Sequence, residues 1–357
     1  MAVGDIFLNT RTGGQDPFAS VKNVFREADV LFGNLEVPLT DVDSPGIEQA
    51  VLIKGSPEAI PYLKDARFSV LNVAHNHIRD FGVKGAIDTI RHLEKNNIPH
   101  IGAGRSIAEC FKEVVVEVDG RTVAFVGFYA YGEGLSSNGF HVAGISPQLV
   151  RHRIAELKEA HDHVVVSFHW GRENVFYPAP EQQEFARLCI DDGASVVIGH
   201  HPHYLHGVEK YNRGLIFYSL GNFNFWQFGM ETGYYNRLTC IADIQLSEEK
   251  IDFELLPVMI DDNYCPQPIS SAQETQSFNE HMEKISSPLP AGVDTWWWFG
   301  EIGKPYLVNN TRSFLVSIRR YGIRHFFKMV RWLTSRFVIK CYVGLIRRYL
   351  RLGRHPS

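Results

Sequence analysis

Val197-Ile198-Gly199-His200-His201-Pro202-His203 is the stretch on which the rest of the chain turns, with Tyr218-Ser219-Leu220-Gly221-Asn222-Phe223 following it. Ala194 to Ile198, apart from Ser195, are small or branched apolar residues and predict a buried strand that runs into Gly199. Three histidines then arrive at the strand's carboxyl end. Pro202 fixes φ and cannot extend a ladder, so the turn is stiff. His201 and His203, two apart in an extended segment, are expected to point to one side. Two neutral imidazoles aimed at one point from a stiff turn are what a metal ion requires.

Outward from this turn the pattern repeats. A short apolar strand delivers Asp5 to its tip, and Val30 to Glu36 forms the next, ending in Asn34 and Glu36. A third strand over 68–74 runs into His75-Asn76-His77 and Asp80, and Val164 to Phe168 ends at His169. Helices are expected over 17–29, 57–66, 85–96, 147–160 and 181–192. Hairpins are expected over 114–126, with Asp119-Gly120 as its turn, and over 238–259. Alternating strands and helices argue for α/β layering. Five strand ends carrying Asp, Glu, Asn or His would build one site at one sheet edge, where open α/β sheets place their ligands.

Mixed carboxylate, amide and imidazole ligands suit intermediate divalent cations such as Mn, Fe or Zn. Two such ions bridged by a carboxylate can activate water and stabilise an in-line phosphoryl displacement. The sequence reading puts Asp5 on one metal, Glu36 as the bridge, and Asn76 and His169 on the second metal. His201 and His203 are divided between the two. His77 is the general acid, or a donor to a phosphoryl oxygen, with Asp80 fixing its tautomer. Arg172 and Asn222 beside the site, and Lys54 before Gly55-Ser56-Pro57, are candidates to hold an anionic oxygen. His75, His200 and His206 are as readily supporting or exposed as ligating. Trp170, Phe223, Phe225 and Trp226 are expected to pack.

Composition bounds the class. The 357 residues are 45% hydrophobic and 21% charged, ordinary for a globular protein. Five scattered cysteines without a C-x-x-C spacing suggest buried thiols in a reducing compartment. No charged and then apolar leader opens the sequence and no run of 18 apolar residues occurs, so a cytoplasmic protein is expected. The net charge of −4 hides an asymmetry: residues 302–357 hold thirteen Lys or Arg and no Asp or Glu, which leaves 23 basic against 40 acidic residues before them. Residues 314–333 and 336–352 read as basic amphipathic helices with a break near Thr334-Ser335. In the second, Ile339, Tyr342, Ile346 and Tyr349 share one face, and Arg336, Lys340, Arg347 and Arg351 share another. Such helices suit the inner face of an anionic membrane. The alternative is packing on the acidic body through the apolar face. Nucleic acid is not expected as a partner.

Gly4-Asp5, Gly33-Asn34-Leu35-Glu36, Ala74-His75-Asn76-His77 with Asp80 and Gly82, His169-Trp170-Gly171 with Glu173, the histidine turn, and Ser219 to Phe223 together resemble the capsule-synthesis (poly-γ-glutamate biosynthesis, CapA) family. That family is similar to the calcineurin-like metallophosphoesterases. The resemblance covers residues 1 to about 260 and implies a four-layer α/β/β/α sandwich with a dinuclear metal site. It also implies a part in making or exporting a bacterial surface polymer. Phe7 stands where the broader phosphoesterases carry a histidine, which leaves one metal short of a ligand, and His75 replaces an asparagine of the family pattern. The domain organisation expected is a phosphoesterase-like domain over 1–260, an irregular connecting segment over 261–310 and a basic helical tail over 311–357. The function expected is metal-dependent phosphoester hydrolysis in surface-polymer biosynthesis. The alternative is a non-catalytic accessory subunit that binds a polymer synthase or an anionic ligand through the inherited site.

Overall fold

Strand Ala2–Ile6 lies at the middle of the larger of two main sheets in a computed structural model of the chain, which describes residues 1–8, 15–47, 51–129, 135–137, 139–225 and 233–350. On one side it pairs in parallel with Phe32–Leu35, followed by Val70–Asn72 and His100–Ile101. On the other it meets the hairpin Leu238–Leu246/Ile251–Ile260 and the short edge strand Pro266–Pro268. Asn222–Asn224 also pairs in parallel with it, Asp5 opposite Asn222.

The second sheet is built around His163–His169, flanked in parallel by Arg121–Tyr129 and Val196–His200. Gly214–Phe217 continues it, and the antiparallel strands Val114–Val118 and Val208–Tyr211 form its edges. His163–His169 and Val196–His200 are buried at every position, as expected for strands covered on both faces.

The two sheets face each other across an apolar layer in which Phe32 of the first stacks on Phe125 of the second, centroids 5.7 Å apart. Outside the first sheet, helices Ile60–Asp65 and Gly82–Lys95 bury Leu63, Ile90 and Leu93. Outside the second, Pro147–Ala160 and Pro180–Asp191 bury Ile154, Leu157 and Ala186. This is the α/β/β/α sandwich.

Three expectations change. Residues 261–310 are not irregular: helix Ala272–Ser286 buries Phe278, Met282 and Ile285 along one face, and a helix runs from Thr295 to Tyr321. Asp294 starts that long helix, its Oδ1 accepting from the amides of Trp296 and Trp297. A boundary at 310/311 therefore falls inside a continuous helix. The first break comes at Gly322, whose φ of 78° suits only glycine, and Ile323–Leu333 follows. The break near Thr334-Ser335 is present, with Ser335 Oγ accepting from Val338 N to start Arg336–Tyr349. Finally, the helix expected over 17–29 is a series of turns with helical hydrogen bonding at Lys22–Phe25. Arg351, Leu352 and Trp226 lie outside the described residues.

Candidate metal centre

The main sheets bring their strand tips to one place. Asp5, Glu36 and His169 are fully buried, and ligand atoms from these three lie within 4.8 Å of one another. Glu36, His201 and His203 form a second such group. Glu36 belongs to both. Asp5 and His169 fall in one cluster, whereas the sequence reading divides them between metals.

The histidine turn achieves this differently from an extended segment. His201 and His203 have φ of 93° and 59°, left-handed values that are uncommon for residues with a Cβ. The strained turn directs the two rings to within 5.8 Å of each other and puts His201 4.8 Å from the His169 ring. The His201 amide donates to Asp5 Oδ2 at 3.3 Å, which ties the turn to the first strand. Strain held at a cluster of ionisable groups is characteristic of functional sites.

Close backbone approach holds the rest. A Cβ on Gly4 would lie 2.0 Å from Gly221 O, so only glycine lets the loop before Asn222 cross there and accept from Asp5 N at 2.8 Å. A Cβ on Gly199 would lie 2.0 Å from Tyr218 O, which accepts from Trp170 Nε1 at 3.1 Å. Trp170, Phe223 and Phe225 are buried packing residues, as expected.

A layer of amides orients the acids and histidines. Asn34 Nδ2 donates to Asp5 Oδ1 at 2.9 Å and lies 3.3 Å from His169 Nδ1. Asn72 Nδ2 in turn donates to Asn34 Oδ1 at 2.7 Å. His169 Nε2 sits 2.7 Å from Asn76 Oδ1 and 3.5 Å from Glu36 Oε1. His203 Nδ1 faces Asn222 Oδ1 at 2.9 Å, and Asn222 Nδ2 donates to Asn236 O. Asn222 thus fixes the ring of His203, leaving Nε2 turned to Glu36 Oε1 at 3.9 Å. His77 Nδ1 donates to Asp80 Oδ2 at 2.8 Å, and the same oxygen accepts from Ile53 N. That leaves Nε2 of His77 as its working nitrogen.

The electrostatics of the centre suit a cation. Both oxygens of Glu36 are buried without a hydrogen-bond donor, and so are His201 Nδ1 and both ring nitrogens of His75. Burial, then the nearby Asp5 charge, pushes the Glu36 carboxyl well above the usual carboxylate range. Burial would also raise Asp5, but His200 and His203 beside it hold it well below. Burial keeps His75 and His169 neutral far below the usual imidazole range and takes His201 down to about 4. His203 differs: burial lowers it, but Asp5 beside it holds it above the usual imidazole range. A buried carboxylate without donors, beside the neutral rings of His169 and His201, is costly alone and satisfied by a cation. The donor set fits divalent metal ions.

Two expected substrate-binding residues have partners of another kind. Lys54 pairs with Asp43 at 2.5 Å beside the Phe81 ring. Arg172 extends over Phe337, 4.5 Å from its centroid, with Tyr306 at 5.6 Å, so the loop after His169 is fastened to the C-terminal helices. Asn34 and Asn72 were absent from the ligand set read from sequence, although Asn34 stands at the same strand tip as Glu36. His200 is buried with Nδ1 3.3 Å from Asp5 Oδ1. His206 faces away, its Nε2 donating to Val175 O, and burial lowers it to about 3.

Comparison with known proteins finds relatives over much of the chain. The "PGA biosynthesis protein CapA" of Bacillus subtilis (strain 168) is 37% identical over 237 residues, 63% of this chain and 62% of that protein. The "Capsule biosynthesis protein CapA" of Bacillus anthracis is 30% identical over 303 residues, 80% of this chain and 72% of that protein. The match thus spans about six to seven tenths of the length of these relatives. A crystal structure described as a novel phosphatase from Mycoplasma pneumoniae aligns at a TM-score of 0.44 and 14% identity, over 75% of this chain and 89% of that one. The family model for the bacterial capsule synthesis protein PGA_cap matches residues 1–227, which contain every strand tip of the centre, and the chain belongs to that family.

Proposed function

We propose that the chain is a metal-dependent phosphoester hydrolase acting on a surface-polymer precursor, with poly-γ-glutamate or capsule synthesis as its setting. The observation that carries this reading is Glu36, buried with two unpartnered oxygens between two clusters of ligands. Glu36 would be shared by two ions of Mn, Fe or Zn, with Asp5, Asn76, His169, His201 and His203 completing their coordination. Bound divalent cations supply charge for the phosphoryl oxygens and an acidified water. The chain's own residues do the remainder. Asp80 holds His77 in the Nδ1–H tautomer, and the imidazolium delivers a proton from Nε2 to the departing oxygen. Asn34, Asn76 and Asn222 keep the ligand rings and carboxylates oriented.

A second reading, an accessory subunit that binds without turnover, is favoured by one observation. Lys54 and Arg172, the cations assigned to the substrate, are engaged by Asp43 and by Phe337. Metal content by mass spectrometry together with hydrolysis of bis-p-nitrophenyl phosphate separates the two. The hydrolase reading expects His77→Ala to keep its metal and lose roughly 100-fold or more in kcat. It expects His201→Ala and His203→Ala to lose metal and activity together. Activity of metal-replete protein untouched by these changes excludes it, and metal-replete protein without activity leaves the accessory reading.

A further inference from the structure

The C-terminal helices contain more exposed apolar surface than their packing explains. In Ile323–Leu333, His325 is buried, while Trp332 lies against Phe314 and donates from Nε1 to Tyr306. At 100° per residue the opposite arc carries Ile323, Phe326, Phe327, Val330 and Leu333, exposed by 66, 40, 66, 42 and 36%. Arg324, Lys328 and Arg331 occupy the flank between, all exposed. The last helix repeats the arrangement. Val338, Cys341 and Gly344 are buried, and Gly344 approaches Phe299 and Gly300 of the long helix so closely that a Cβ there would lie 2.6–2.7 Å from their atoms. Ile339, Tyr342, Ile346 and Tyr349 face outward, Tyr349 at 89% exposure. The alternative of packing through that face is therefore not what the helix does.

Single exposed apolar residues are ordinary, but rows of them along two successive helices mark a surface that something covers. Charge identifies the covering. The segment 302–357 has thirteen cationic residues and no anionic one. Among the described residues no helix is long and apolar enough to cross a membrane. Short helices with an apolar arc, bulky aromatic residues and a cationic flank lie in the plane of a lipid interface. We propose that Ile323–Leu333 and Arg336–Tyr349 dock the protein on an anionic phospholipid surface, the apolar arcs entering the headgroup region and the flanking cations meeting lipid phosphates. This does not depend on whether the metal centre is catalytic. Because Arg172 stacks on Phe337, the loop that follows His169 is held by the same docked helices.

The test is flotation of the whole purified chain with vesicles of phosphatidylglycerol and phosphatidylcholine, against phosphatidylcholine alone, at low and high salt. Two variants accompany it: Phe326→Glu/Phe327→Glu, and Arg324→Gln/Lys328→Gln/Arg331→Gln, which leaves the apolar row intact. Circular dichroism confirms that both are folded. The expected result is recruitment to the anionic vesicles only, weakened by salt and lost in the phenylalanine variant. The charge variant should bind roughly fivefold more weakly per cation removed. Absence of recruitment overturns the proposal, as does recruitment unchanged in both variants. A dimer that Phe326→Glu/Phe327→Glu converts to monomer, without vesicle binding, would assign the face to a second copy of the chain instead. Retention by soluble poly-γ-glutamate without retention by vesicles would assign it to the polymer.

Discussion

Asn34 donates to Asp5 Oδ1 across 2.9 Å, with both side chains fully buried and Asn72 donating to Asn34 in turn. The acid at the first strand tip is thus held by the second, and the second by the third. Asn34→Leu leaves the Asn72 amide with only its longer bond to Ala74 O, at 3.3 Å, and Asp5 short of a donor. A loss of about 1–3 kcal/mol in urea unfolding is expected from each buried group left unpaired. Metal affinity, read by competition with a chelating dye, should fall roughly 10–100-fold.

Metal uptake should release protons, from His203, which Asp5 holds above the usual imidazole range, and from Glu36. Its carboxyl is held well above the usual range, whereas burial already keeps His169 and His201 neutral. A raised acid is more protonated at lower pH, so calorimetry in buffers of different ionisation heat should find more protons released at about pH 6 than at about pH 8. The metal-free protein should lose stability as pH rises above the ordinary carboxylate range toward the folded value of Glu36. Glu36→Gln should reduce both effects.

Gly4→Ala puts a methyl group 2.0 Å from a carbonyl oxygen that belongs to backbone and cannot rotate away. Thermal unfolding should register a loss of about 1–3 kcal/mol or more. Gly233→Ala, with Asn236 Oδ1 4.0 Å distant, should fall within about 0.5 kcal/mol of the parent.

Gly344→Val should lift the last helix from the long one. Cys341 lies beneath that contact, and burial pushes its thiol up to about 12, which keeps it inert. The five cysteines are all buried. A thiol reagent should therefore leave the parent unlabelled and modify Cys341 in the variant, about tenfold faster for each 1.4 kcal/mol of docking lost. Metal content should not change.

Much of this molecule can be read from its sequence because local and global preferences agree there. Asp119-Gly120 adopts the positive φ pair, 50° and 76°, that its hairpin needs. Pro147–Ala160 and Leu238–Leu246 have the boundaries that their periodicity predicts. The centre is legible for a related reason: each acid or histidine follows directly on an apolar strand, so the topology alone carries it to the shared edge. What escapes is decided by distant partners. Asn222–Asn224 is only three residues long, two of them asparagines with low strand preference, and it forms a strand beside Ala2–Ile6. Pro305 sits inside Thr295–Tyr321, where local preference argues against helix. Arg172 is adjacent to the site in sequence, but its direction is set by Phe337 and Tyr306 in the C-terminal helices. The ladder of Asn72, Asn34 and Asp5 needs the strand register, which a single sequence does not disclose.

The bond from His201 to Asp5 joins positions 196 residues apart, and Gly221 closes over the first strand later still. On a ribosome, the opening strand emerges long before the histidine turn that meets it in the folded chain. A nascent chain interrupted ahead of His201 lacks the histidine turn and holds only a fragment of the proposed ligand set. On the hydrolase reading, metal uptake would wait for the histidine turn, and the order of synthesis would itself guard against premature capture of an ion.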